Sequence, residues 1–167
     1  MTARPPAFQD AYPDDTAHCY GCGRLNERGH QLKSYWEGDE TVARFTPKPW
    51  HTAIPGYVYG GLIASLMDCH GTGTAAAVAA RRDGYRLGED PIPEGQEGPR
   101  YVTASLHVDF LKPTPLGPIL TVRGVVEDDG ADKGSRKVVT RITVEAEGVV
   151  TAKGSVVAVR MPDSMVR

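Results

Sequence analysis

Two stretches of this chain carry residues whose types and spacing could do chemistry. The first is LIASLMDCHGTG, in which Asp68 is the lone acid among apolar and small residues. An unpaired carboxylate drawn out of water is costly, and desolvation raises its pKa toward the range of a general base. Asp68 could equally hydrogen-bond to backbone at a helix crossing, since structural networks perturb acids too, and the residues alone leave both readings open. The second stretch is Pro55-Gly56-Tyr57-Val58-Tyr59-Gly60-Gly61, which reads as a turn that opens a helix. Glycine lets a ligand approach the backbone closely, and the first N–H groups of a helix lack intrahelical partners. With the helix dipole they suit a carbonyl oxygen that becomes negative. The plainer alternative is a glycine pair that merely serves close contact.

The element that must position both is a helix from Gly60 to about Arg81. Its alanines, leucines and methionine favour helix, it contains no proline, and Arg81 and Arg82 stand at its carboxyl end, where the dipole favours cations. Apolar residues occur on almost every side, which marks it as buried. Gly60 and Asp68 lie about 12 Å apart along such a helix at 1.5 Å per residue, so one chain cannot bring both to one carbonyl. Two such helices, antiparallel across a two-fold axis, would set Gly60 of one beside Asp68 of the other, which makes a homodimer, possibly paired into a tetramer, the expected assembly.

Around the helix the pattern is strand-like. Leu32–Trp36 and Glu40–Thr46 read as short strands joined at Glu37-Gly38-Asp39, and Pro47–Gly56 as a loop. After the helix, Arg82–Arg100 is polar and rich in glycine and proline, a surface excursion that is flexible unless a partner orders it. Tyr101–Leu111, Ile119–Asp128, Arg136–Ala146 and Val149–Met161 then read as strands, broken at Pro113, Pro115, Gly130, Gly134 and Gly148, with a tight hairpin at Glu147-Gly148. Residues 1–17 read as a loose arm, 18–161 as one domain and 162–167 as a tail. Strands, one long buried helix and more strands imply an α+β fold in which an antiparallel sheet wraps round the helix.

The remaining reactive side chains read as bland. Cys69 and His70 follow Asp68 directly, but helix neighbours point about 100° apart, so they form no dyad with it. Cys19 and Cys22 have metal-ligand spacing, yet a structural zinc site wants four ligands and no second Cys-x-x-Cys exists. His18, His30 and His51 could add nitrogen, but a small knuckle without metal is the expectation. The 167 residues are 40% hydrophobic and 24% charged with net charge −2, which gives no basis for a nucleic-acid partner. The apolar stretch around 61–80 is interrupted by Asp68, His70, Gly71 and Gly73 and makes a poor membrane span. With no secretory signal pattern and three cysteines that cannot all pair, a reduced, cytoplasmic protein is expected.

At these residues the chain resembles the PaaI-like branch of the hotdog thioesterase superfamily. CYGCGRLNERG matches an amino-terminal Cys-x-x-Cys-Gly…Asn…Gly element. PGYVYGGLIASLMD matches a Pro-Gly-x-x-His-Gly-Gly turn followed by a helix with an acid seven residues after the second glycine. TASLHVDFLKPTP matches a later Thr-Ala-x-Leu…Pro pattern. The resemblance implies a hotdog fold and hydrolysis of an acyl-CoA thioester without metal or organic cofactor. It implies that the Gly60 N–H polarises the carbonyl, with Gly61 and Gly56 in the same binding turn. It also implies that Asp68 attacks or activates water, and that Thr103 orients the water or the acid. Arg81 and Arg82 are candidates for the phosphates of coenzyme A. One departure stands out: the family histidine is Tyr59, and a phenol can donate a hydrogen bond but cannot replace an imidazole in neutral-pH proton transfer. Rival readings are a non-catalytic acyl-thioester binding protein, which Tyr59 favours, and an enoyl-CoA hydratase or dehydratase, which Tyr59 disfavours.

Overall fold

The computed structural model describes residues 5–131 and 136–165. The strands are β1 (Ser34–Glu37), β2 (Glu40–Phe45), β3 (Tyr101–Phe110), β4 (Leu120–Asp128), β5 (Lys137–Ala146) and β6 (Val149–Arg160), with the helix α1 (Gly60–Arg82) between β2 and β3. The α+β expectation holds: the strands form one antiparallel sheet in the order β1-β2-β4-β5-β6-β3, curled round α1. Along β5, Val138, Thr140, Ile142, Val144 and Ala146 are buried and the residues between them are not, as a strand with one covered face requires. The hairpin from β5 to β6 turns at Glu147 and Gly148, both with positive φ (52° and 78°), and pairs Ala146 with Val149. Gly134 falls outside the described residues, as do positions 1–4, 166 and 167.

α1 begins where Tyr59 is still extended (φ −61°, ψ 128°). It stops where Gly84 turns left-handed (φ 93°), with Gly84 N–H returning to the Arg81 carbonyl and Tyr85 N–H to that of Ala80. Leu62, Ile63, Leu66, Met67 and Val78 enter one core with Leu120, Val122, Ile142, Val144 and Val156 of the sheet. No helix among the described residues is long and apolar enough to cross a membrane.

The amino-terminal arm is a correction. From residue 5 the segment is docked, with 3-10 turns at Phe8–Ala11 and Asp14–Thr16 and with Phe8, Gln9, Tyr12 and Ala17 buried. Phe8 meets Trp36 edge-on at 5.5 Å, and the Gln9 amide exchanges hydrogen bonds with Ser34. Its scattered apolar residues have no local period, and their partners lie far along the chain, so a window of sequence cannot reveal them. The 82–100 excursion is also pinned, at the buried residues Tyr85, Leu87 and Pro99. Together with the cysteine turn, the arm covers the flank of α1 that the sheet leaves open.

Candidate active site

Asp68 faces β3, the outermost strand of the sheet, and there accepts a hydrogen bond from the hydroxyl of Thr103. The pairing of β3 with β6 slips between Thr103 and Ser105, leaving Ala104 as an extra residue. Such a bulge re-aims the neighbouring side chain. Burial raises the pKa of Asp68, the hydroxyl of Thr103 works against that rise, and negative charge on Cys19 adds to it. A half-buried carboxylate results, held by one hydroxyl at an edge where β3 is exposed from Thr103 to His107. This is a carboxylate placed to take a proton from water or to attack.

Gly60 and Gly61 open the same helix. Among the described residues no acceptor meets the N–H of either, while the Tyr59 carbonyl already takes those of Leu62 (3.1 Å) and Ile63 (3.4 Å). Two free donors at a helix N-terminus are what a developing oxyanion needs. The helix start also separates two clefts. One, of about 410 Å³, runs beside Val58, Gly60, Ile63 and Phe110. The other, of about 480 Å³, is lined by Tyr59 with His30, Phe45, Trp50 and His51. The Tyr59 side chain folds back over Gly61, so a methyl group there would strike its phenol.

Asp68 and Thr103 are therefore brought together, and Gly60, Gly61 and Tyr59 form a second group two helical turns away. Gly56 (φ 90°) shapes the exposed loop before the helix, where its carbonyl accepts the Leu116 N–H. Arg81 and Arg82, the candidates for the coenzyme A phosphates, lie in this chain about 20 Å along the helix from Asp68, on the far side from Gly60. They are engaged there, Arg81 over the Trp36 ring (5.0 Å) and Arg82 with the Asp129 carbonyl (2.6 Å) and the Tyr101 hydroxyl (3.2 Å).

The sequence pattern of the thioesterase superfamily matches residues 55–153, a stretch that holds both groups. A solved thioesterase superfamily protein from Shewanella loihica PV-4 is 46% identical, over 92% of this chain and 99% of that one, with TM-score 0.66. The chain belongs to the thioesterase superfamily. Its fold is the hotdog, shared with the PaaI protein of the E. coli phenylacetic acid degradation operon (17% identity, 80% and 81% covered, TM-score 0.57) and with a thioesterase of Haemophilus influenzae (15%, 84% and 85%, 0.61). No curated protein matches the chain.

Within this hotdog subunit, the two residues after Asp68 point elsewhere, as helix geometry required. His70 is buried among Ser34 (2.9 Å to Nδ1) and Thr41 (3.1 Å to Nε2). Thr74 donates to the His70 carbonyl (2.8 Å) and so accepts from Thr41, which in turn accepts from Nε2–H. Ser34, accepting from Gln9, donates to Nδ1. The chain of bonds closes with a neutral imidazole, and burial pushes its pKa down to about 4. Cys69 instead turns to Cys19 and Cys22, a grouping that local spacing could not show because its third member lies 47 residues beyond the pair. The aromatic and histidine wall beside Tyr59 was also missed. Its residues come from the segment before β1, the end of β2 and the loop that follows it, and nothing in their order marks them as neighbours.

Proposed function

We propose that this hotdog protein hydrolyses an acyl-CoA thioester, by attack of Asp68, or of water it activates, on a carbonyl polarised at the Gly60 N–H. The observation that carries the reading is the Asp68–Thr103 hydrogen bond: the lone acid of the helix meets a hydroxyl at the sheet's open edge. The free N–H groups of Gly60 and Gly61 supply the complementary half. Because the halves are about 12 Å apart on one helix, a complete site takes Gly60 from one subunit and Asp68 from another. β3 supports that pairing. It is an edge strand with Leu106, Phe110 and the adjoining Leu111 exposed, and such an edge is normally covered.

Release of free thiol from a panel of acyl-CoAs tests the activity. Mixing tests the shared site. Gly60→Pro deletes the polarising N–H at the first helical position, where proline is tolerated and where extended Tyr59 suits a following proline. Either Gly60→Pro or Asp68→Asn alone should be inactive, and exchanged heterodimers should regain one working site. Heterodimers as dead as both parents would sink the shared geometry. Tyr59, in place of the family histidine, favours a second reading, an acyl-thioester binding protein without turnover. That reading predicts binding of acyl-CoA with no thiol release by the wild type.

A further inference from the structure

Three sulfurs meet on the covered flank of α1, outside the chemistry proposed above. Cys19 and Cys22 come from the turn that follows the docked arm, and Cys69 comes from the helix. Their Sγ atoms all lie within 4.8 Å of one another, with Cys19 and Cys69 3.7 Å apart. All three are free thiols. Around a tetrahedral ion with metal–sulfur bonds of about 2.3 Å, sulfurs stand about 3.8 Å apart. One pair already has that spacing, and the widest has at most about 1 Å to close. A disulfide, at about 2.05 Å, would ask even the 3.7 Å pair to close by about 1.6 Å.

We propose that Cys19, Cys22 and Cys69 bind one thiophilic cation of the zinc type, with its fourth position open to solvent beside Cys19. The turn is built for a metal-bound sulfur. Gly21 has no room for a side chain, because a Cβ there would strike Cys69 Sγ. Gly23 is likewise closed in, with its N–H on the Cys19 carbonyl at 2.7 Å, which tightens the loop between the two ligands. Three thiolates and a divalent cation leave one negative charge. Arg100, stacked 3.8 Å from the Tyr12 ring, stands close enough to Cys22 to offset it. Cys22 and Cys69 are buried, while Cys19 is exposed, so solvent reaches the cluster from one side only. No histidine or acid among the described residues joins the three sulfurs, so the fourth ligand is water or an outside donor. Soft thiolate donors select zinc, copper(I) or iron–sulfur clusters over hard cations. An ion here would clamp the cysteine turn to the helix one residue past Asp68.

The test uses the reduced, full-length protein, stripped of metal, in competition with a chromophoric chelator for Zn²⁺. One equivalent should bind per chain, and Cys69→Ala should lower the affinity by about a hundredfold or more. Co²⁺ in place of Zn²⁺ should give sulfur-to-cobalt charge-transfer absorption that weakens in Cys19→Ser, Cys22→Ser and Cys69→Ala alike. No uptake by the wild type at micromolar Zn²⁺, or uptake unchanged in Cys69→Ala, overturns the site. Alkylation of the wild type covers the case of a variant that fails to fold. Zn²⁺ should shield the exposed Cys19, and labelling that ignores Zn²⁺ also overturns the proposal. None of these readouts involves a thioester, so they stand apart from the fate of the catalytic reading.

Discussion

The two flanks of the helix contrast at three consecutive residues. Asp68 looks toward β3, an edge with exposed side chains and a single hydroxyl for a partner. Cys69 and His70 are themselves buried and look toward the docked amino-terminal segment and the first strands, where Cys69 meets Cys19 and His70 is hydrogen-bonded through both ring nitrogens. The same helical turn thus carries one polar group left available and two enclosed. Enclosure makes His70 a neutral structural group, because every donor and acceptor round it is already used. Availability makes Asp68 a candidate reagent, because its remaining acceptor capacity has no protein partner among the described residues. Residue type alone would have ranked them the other way, since histidine is the commoner acid–base catalyst.

The sharpest way to break this contrast is on the open flank. Asp68→Asn removes the proton acceptor yet keeps the shape, and should lower kcat by about 10²–10⁴, the usual weight of a positioned general base, with thermal stability nearly unchanged. Steady-state thiol release and a melting curve on the same sample check both halves. Turnover within twofold of wild type would end the assignment. On the covered flank the effect should fall on stability. Phe8 is fully buried against Trp36, and Phe8→Ala should cost about 3–5 kcal/mol of unfolding free energy. A loss below about 0.5 kcal/mol in denaturant titration would mean that the arm is loose after all.

The enclosed histidine sets a pH dependence. Its folded pKa, about 4, lies below the 6.5 of an unhindered imidazole. Both states are neutral above 6.5. Below it the unfolded chain takes up a proton that the folded chain refuses, so stability falls as pH drops from 6.5 toward 4 and the loss then levels off. The slope approaches about 1.4 kcal/mol per pH unit. Between pH 7.5 and 5, wild type should therefore lose about 2 kcal/mol more than His70→Gln, which cannot protonate. Equal losses would show that His70 is charged in the folded protein.

Most of the fold was legible because its signals are local. The helix start at Gly60 follows from a glycine turn before a proline-free apolar run, and the β5–β6 hairpin from Glu147-Gly148 between valine-rich runs. Strand limits came within two residues of those observed. The docked arm was illegible for the opposite reason. Gln9 meets Ser34, and Cys19 meets Cys69, across separations of 25 and 50 residues that only the closed chain reveals. In the site, Asp68 stood out by composition, whereas Thr103 has no distinguishing neighbours and entered only through the family resemblance. Arg81 and Arg82 were suggested by charge and stand at the far end of the helix, about 20 Å from Asp68.

The smallest expected effect, and the finest probe of the open flank, is at Thr103. Its hydroxyl bonds to the carboxylate form of Asp68 and so opposes the rise that burial imposes on that pKa. Thr103→Val keeps the shape of the side chain and removes the hydroxyl. A hydrogen bond of ordinary net strength, about 0.5–1.5 kcal/mol, corresponds to a fall in kcat/KM of at most about tenfold. The sign of the pH effect is more telling than its size. With the opposing bond gone, Asp68 should hold its proton to higher pH, and the acidic limb of the kcat/KM profile should move upward relative to wild type. A structural role for Thr103, confined to packing β3 against the helix, would lower the rate uniformly and leave that limb in place. A limb that moves downward would mean that Thr103 had been stabilising the protonated acid instead of the carboxylate.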